Sequence, residues 1–146
     1  MNTILIGVKN AGKTTTGLEL ADITKKKFVD TDWLIVSRYN KSNQANFDST
    51  YDIVSAIGID EFRTLESEAI NSIDETDAII ATGGGSCLDS NNVKHLQSIG
   101  ELFYLFVTNE VFKKRMEHLN NSYYASFSNL SEFYNKRHQA CKVAAN

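Results

Sequence analysis

Apolar residues in this chain fall in short runs, and the stretches between them carry helical spacing. The runs are Thr3-Ile4-Leu5-Ile6, Lys27-Phe28-Val29-Asp30, Ala78-Ile79-Ile80-Ala81-Thr82 and Leu102-Phe103-Tyr104-Leu105-Phe106-Val107. Each has the length and content of a strand buried on both faces, as in a parallel sheet. Between them the spacing changes. Residues 15–21 read as a helix following the first run. Phe62, Leu65, Ala69, Ile70 and Ile73 form a helical stripe, as do Val111, Phe112, Met116 and Leu119, and then Leu130, Phe133, Tyr134, Arg137 and Cys141. Asp89-Ser90-Asn91 offers N-caps for a helix through Leu96 and Ile99, and Gly100 suits the position just past its end. The polar segment 40–49 reads as a loop or a loose helix start. Strands alternating with helices predict a mainly parallel sheet covered on both faces. No repeat or low-complexity linker interrupts the 146 residues, which make one domain with room for a proper core.

In such folds ligands bind where the strands end, so the residues leaving each strand matter most. The first strand runs into Gly7-Val8-Lys9-Asn10-Ala11-Gly12-Lys13-Thr14, which fits the Walker A pattern on a strand–loop–helix turn. Loop N–H groups and the positive end of the helix suit a nucleotide's β-phosphate. Gly7, Asn10, Ala11, Gly12, Lys13, Thr14 and Thr15 are the expected nucleotide contacts. Lys13 is expected to reach the β- and γ-phosphates of ATP, and Thr14 to help hold Mg²⁺. After the second strand come Asp30-Thr31-Asp32. Phosphoryl transfer needs one acid near the metal and one near the attacking hydroxyl. Asp30 fits the first role through the metal's waters, and Asp32 the second. A helix cap before Trp33-Leu34-Ile35-Val36 is the competing role for Asp32. After the third strand, Gly83-Gly84-Gly85 suits either a close backbone approach to a small ligand or a tight turn. Arg63, beside the Phe62–Leu65 stripe, can pair Glu66 three residues on or offer its planar fork to a carboxylate.

The formal net charge of −3 points away from nucleic acid and anionic membranes as main partners. An anionic ligand must then be held by local positive charge, and there are only four arginines: Arg38, Arg63, Arg115 and Arg137. Cys87 and Cys141 show no metal spacing and read as reduced thiols of a cytoplasmic protein. His95, His118 and His138 show no metal spacing either and read as surface or packing residues. No apolar run is long enough to span a bilayer, and no signal peptide precedes the first strand.

Taken in order, the motifs resemble those of the shikimate kinase family. Gly7–Thr14, Asp30-Thr31-Asp32, Phe62-Arg63-Thr64-Leu65-Glu66, Gly83-Gly84-Gly85 and Tyr134-Asn135-Lys136-Arg137 match it in order and spacing, from the first residues to about Arg137. The resemblance implies a three-layer α/β P-loop NTPase fold. It implies ATP-dependent phosphorylation of the 3-hydroxyl of shikimate, in the pathway to aromatic amino acid precursors. Lys13 and Asp32 would serve catalysis, and Thr14 and Asp30 the metal. Asp32 would also bind the shikimate hydroxyls, Arg63 and Arg137 its carboxylate, and Gly83, Gly84 and Gly85 its ring side. Arg115 matches a position near the adenine, and a solvated basic helix face is its other reading. The family is monomeric by this resemblance.

The chain departs from the family pattern in two places. The family's lid, near residues 113–130, carries an arginine followed by proline. Here Asn120–Phe127 contains no arginine, lysine or proline, and Tyr123 and Tyr124 read as a packed pair or a cover for the nucleotide. After Arg137 comes His138-Gln139-Ala140-Cys141 in place of proline, leucine and tyrosine. The chain stops at Asn146, where the family continues. The expected sheet therefore lacks a last strand and helix, and self-association at the shortened edge is one way to cover it. These departures keep two alternatives open: a binding protein impaired in catalysis, and a kinase for another small hydroxy acid.

Overall fold

The computed structural model describes residues 1–118 and 129–146. Leu119, the Asn120–Phe127 stretch and the Tyr123–Tyr124 pair lie outside the described residues. In chain order the elements are β1 (Asn2–Ile6), α1 (Lys13–Thr24), β2 (Phe28–Asp30), α2 (Thr31–Asn43), α3 (Thr50–Ile57), α4 (Ile59–Asn71) and β3 (Ile79–Ala81). A 3₁₀ turn (Ser86–Leu88), α5 (Ser90–Ile99), β4 (Gly100–Tyr104), α6 (Asn109–Met116) and α7 (Leu130–Ala144) follow.

The four strands lie in the order β2-β3-β1-β4, and every pairing is parallel. Ile4 stands beside Ile80 on one side and Leu102 on the other. Successive side chains of a strand face opposite sides of the sheet, and both sides are covered here. Leu5 and Ile79 pack with Ala21 of α1 on one face. Ile4, Ile6 and Ile80 pack on the other with Ile70 of α4, Leu96 of α5, and Cys141 and Ala144 of α7. That is why Ile4–Ile6 of β1 and all of β3 are apolar in succession rather than at alternate positions. The chain leaves β1 toward β2 and leaves β3 toward β4. The carboxyl ends of β1 and β3 therefore flank the crevice where connections diverge, the ligand position of open α/β sheets.

Some local expectations give way to others. Helix α2 starts at Thr31, so Thr31 and Asp32 are helical rather than extended. Asp30, not Asp32, is the cap: its Oδ1 accepts the N–H groups of Asp32 (2.9 Å) and Trp33 (3.3 Å). The 40–49 segment divides, helix to Asn43 and then loop. Asn40 closes that loop by accepting from the Phe47 N–H and donating to its carbonyl, both at 2.9 Å. Helix α3, capped by Ser49, was not foreseen; its apolar residues pack against α2 and α4 rather than the sheet. Gly100 ends α5 in extended rather than left-handed backbone and already belongs to β4. A Cβ there would lie 2.6 Å from the Asn2 carbonyl oxygen, so close approach to β1 is what requires glycine. Strand β4 is accordingly shifted toward the N-terminus of its apolar run. The thiols of Cys87 and Cys141, distant in sequence, are free and buried together in the core. Interaction between the two thiols pushes the Cys87 pKa up and the Cys141 pKa down. His138 is a packing residue, with Nδ1 2.7 Å from the Tyr104 hydroxyl and its ring stacked on Tyr134. Among the described residues no helix is long and apolar enough to cross a membrane.

Candidate active site

The loop after β1 takes its shape from two residues in left-handed backbone, Asn10 (φ 61°) and Gly12 (φ 95°). The Asn10 side chain reaches the Met116 sulfur, and its carbonyl accepts from Arg115 Nη1 at 2.6 Å. Arg115 thus braces the phosphate loop from α6, a contact that neither of its earlier readings contained. Lys13, at the start of α1, is buried and folds back so that Nζ donates to the carbonyls of Gly7 (2.7 Å) and Val8 (2.8 Å). Burial pulls its pKa down to about 8, against the pull of Asp32, Cys141 and Asp30. One residue on, Thr14 Oγ1 donates to Asp30 Oδ2 at 2.6 Å. Asp30 therefore ties the phosphate loop to the start of α2 with its two oxygens.

Two compartments open at the strand ends. The first, about 520 Å³, is lined by the loop residues Asn10, Gly12, Lys13, Thr14 and Thr15, with Thr82. The second, about 540 Å³, is lined by Arg63 and Glu66 of α4, Phe133 and Arg137 of α7, Thr50, Tyr51 and Val54 of α3, and the Gly83–Gly85 turn. Lys9, Asp32 and Gly84 line both, so the compartments meet at these three residues. Gly7 and Ala11 shape the loop without lining either space.

In the second compartment, Glu66 is 1% exposed. Its Oε1 accepts from Arg63 Nη1 at 2.7 Å and its Oε2 from the Ser86 hydroxyl at 3.0 Å. Arg63 pairs Glu66, as one sequence alternative has it, and also lines the cleft. Arg137 is buried over the Phe133 ring, its Cζ 3.4 Å from the centroid. Two guanidinium groups thus enter one small cleft from different helices, a geometry suited to a carboxylate. The three glycines are explained by proximity. A Cβ at Gly83 would lie 2.8 Å from Glu66 Oε2, one at Gly84 2.8 Å from the Lys9 nitrogen, and one at Gly85 2.4 Å from Arg63 Nη2. The turn is held from below by buried Thr31, whose hydroxyl accepts the Gly83 N–H at 3.1 Å. Asp32, partly buried at the junction, has its carboxyl pushed up to about 6. Desolvation is the largest cause, with Asp30 and Glu66 also raising it and Lys9 and Lys13 opposing.

The structure thus brings Lys9, Asp32, Arg63, Arg137 and the glycine turn to one place, next to Lys13, Thr14 and Asp30. Arg115 stands behind the loop rather than in either compartment. Sequence reasoning passed over Lys9, which occupies a free position of the loop motif. It also passed over the wall formed by Thr50, Tyr51 and Val54, which carries no motif at all.

The chain is similar to several known proteins. A shikimate kinase of Clostridium botulinum is 39% identical over 79% of this chain and 64% of its own. A shikimate kinase 2 of Syntrophotalea carbinolica is 34% identical over 77% of this chain and 62% of its own. The matched stretch is therefore just under two thirds of each of these relatives. A solved shikimate kinase from Acinetobacter baumannii, in complex with shikimate, superposes with a TM-score of 0.81 at 27% identity, covering 99% of this chain and 80% of that one. The family model described as shikimate kinase matches residues 9–145. With nearly the whole chain matched, this chain belongs to the shikimate kinase family.

Proposed function

We infer that this chain transfers the γ-phosphoryl group of ATP to the 3-hydroxyl of shikimate, giving shikimate 3-phosphate and ADP. The observation that carries the reading is the pair of adjoining compartments: a phosphate loop lines one, two arginines line the other, and Asp32 stands where they meet. The Acinetobacter baumannii relative, whose structure holds shikimate, supports the choice of acid.

The proposed roles follow from position. Gly12, Thr14 and Thr15 receive the phosphates at the N-terminus of α1, where N–H groups and the helix dipole favour anions. Lys13 exchanges its loop carbonyls for phosphate oxygens and regains full charge beside them. Arg63 and Arg137 hold the shikimate carboxylate and so fix the ring, with Gly83–Gly85 beside it. Asp32 takes the proton of the attacking hydroxyl, and a pKa of about 6 suits a base working near neutrality. Thr14 Oγ1 and Asp30 Oδ2, 2.6 Å apart, are hard oxygen donors of the kind Mg²⁺ accepts. They would hold it directly or through water. Bound with the nucleotide, Mg²⁺ supplies charge neutralisation across the β- and γ-phosphates.

Coupled ADP release with Mg·ATP and shikimate tests the reading. Shikimate-dependent turnover is expected. Arg63→Ala should raise the KM for shikimate about 10- to 100-fold, the worth of one charge-assisted contact, with the KM for ATP unchanged. Folded protein that binds both ligands by calorimetry but releases no ADP would replace this reading with a binding protein. Turnover with other hydroxy acids alone would replace the acceptor.

A further inference from the structure

We propose that Lys9 is the cation that neutralises the transferring phosphoryl group, a role resting on the kinase reading above. Lys9 sits in the second free position of the phosphate loop, and it lines both compartments. Its backbone is pressed against the glycine turn: a Cβ at Gly84 would lie 2.8 Å from the Lys9 nitrogen and 3.2 Å from its Cα. Position 9 is therefore fixed at the junction from both sides.

The neighbouring cations have other work: Arg115 donates to the Asn10 carbonyl, Arg63 to Glu66, Arg137 lies over Phe133, and Lys13 serves the nucleotide's phosphates on the kinase reading. The Lys9 ammonium has no hydrogen bond or ion pair among the described residues. Lys9 is partly buried, and its charge opposes the rise of the Asp32 carboxyl more than that of Lys13 does.

That junction is where charge gathers during transfer. The bond from phosphorus to the leaving oxygen of ADP breaks, and the bond to the hydroxyl oxygen forms in line. The hydroxyl proton passes to Asp32, and the three equatorial oxygens carry the negative charge between the two. Lys9 keeps its proton throughout and acts by charge alone. A cation placed there binds the transition state more tightly than either ground state, so its removal lowers kcat rather than raising KM.

The test compares Lys9→Met and Lys9→Arg with the parent by steady-state kinetics, and by affinity for ADP–aluminium fluoride with shikimate. Lys9→Met should lower kcat by at least about 100-fold, the lower end for losing one donor that stabilises transition-state charge. Both KM values should stay within about threefold, and Lys9→Arg should recover activity to within about tenfold. Affinity for the aluminium fluoride complex should fall with kcat. Should Lys9→Met fail to fold, Lys9→Gln carries the same comparison. An active parent whose Lys9→Met kcat stays within about threefold overturns the role of Lys9 alone, as does a loss carried entirely by KM or one that Lys9→Arg does not recover. A folded parent with no shikimate-dependent ADP release overturns the kinase reading and this role with it.

Discussion

Replacing Asp32 by asparagine should stabilise the protein at neutral pH while removing its activity. The Asp32 carboxyl titrates near 6 in the folded chain, against an ordinary value of 3.8. The native state therefore binds the proton more tightly than the unfolded chain does. Below about pH 3.8 both forms are protonated and the group contributes nothing. As pH rises from there through 6, the unfolded chain has released the proton that the folded one still holds, and stability falls. Above about pH 6 the whole penalty is present. A shift of roughly two pH units corresponds to about 3 kcal/mol. Partial solvent access to the side chain reduces that to about 1–2 kcal/mol. For a chain of this size such a gain raises Tm by roughly 3–7 °C. Thermal melts of Asp32→Asn and parent, without ligands, at pH 4.0, 5.5 and 7.5 measure it. The two should melt together at pH 4.0 and separate progressively above it, with the variant higher. A variant that melts at or below the parent at pH 7.5, or a difference that does not change with pH, refutes the reasoning. The loss of shikimate-dependent turnover in the same variant then marks Asp32 as a site where stability is given up for chemistry.

Two other substitutions probe the second compartment. Gly85→Ala places a Cβ against the Arg63 guanidinium while its backbone, at φ −108°, accepts alanine. Steady-state kinetics should show the KM for shikimate up at least about tenfold, as expected for losing a charge-assisted contact, with the KM for ATP unmoved, because Gly85 lies outside the phosphate compartment. Glu66→Gln removes the buried charge that holds Arg63 and Ser86. It should cost about 1.5–3 kcal/mol, with the lower end favoured by the partly open Arg63. The expected fall in Tm is about 3–9 °C, and an unchanged melt would mean that the Arg63–Glu66 pair contributes nothing.

What the sequence disclosed was local. The phosphate loop is one contiguous segment between a buried strand and a helix, so periodicity and glycine spacing were enough to place it. The central strands were legible because Ile4–Ile6 of β1 and Ile79–Ala81 of β3 are buried on both faces and apolar without alternation. Asp30 and Asp32 exchanged capping roles because the helix starts two residues earlier than an extended Asp-x-Asp implies. Arg63 was legible as either paired or ligand-facing, and the fold shows that pairing Glu66 does not take it out of the cleft. Lys9 was hidden in a position where the motif accepts any residue. The α3 wall was hidden because eight residues packed on other helices show too little periodicity to separate from loop. The Cys87–Cys141 contact depends on how α7 docks, which no local pattern encodes.

The shared wall of the two compartments has a thermodynamic consequence. Lys9, Asp32 and Gly84 belong to both, so whatever occupies one compartment completes the surface met by the occupant of the other. Occupancy of the two is then linked, and linkage is reciprocal: the factor by which a nucleotide alters affinity for the acid is the factor by which the acid alters affinity for the nucleotide. Because Asp32 titrates near neutrality between two cations and two anions, that factor is itself a function of pH, and the sign of cooperativity can be set by a single proton at the boundary.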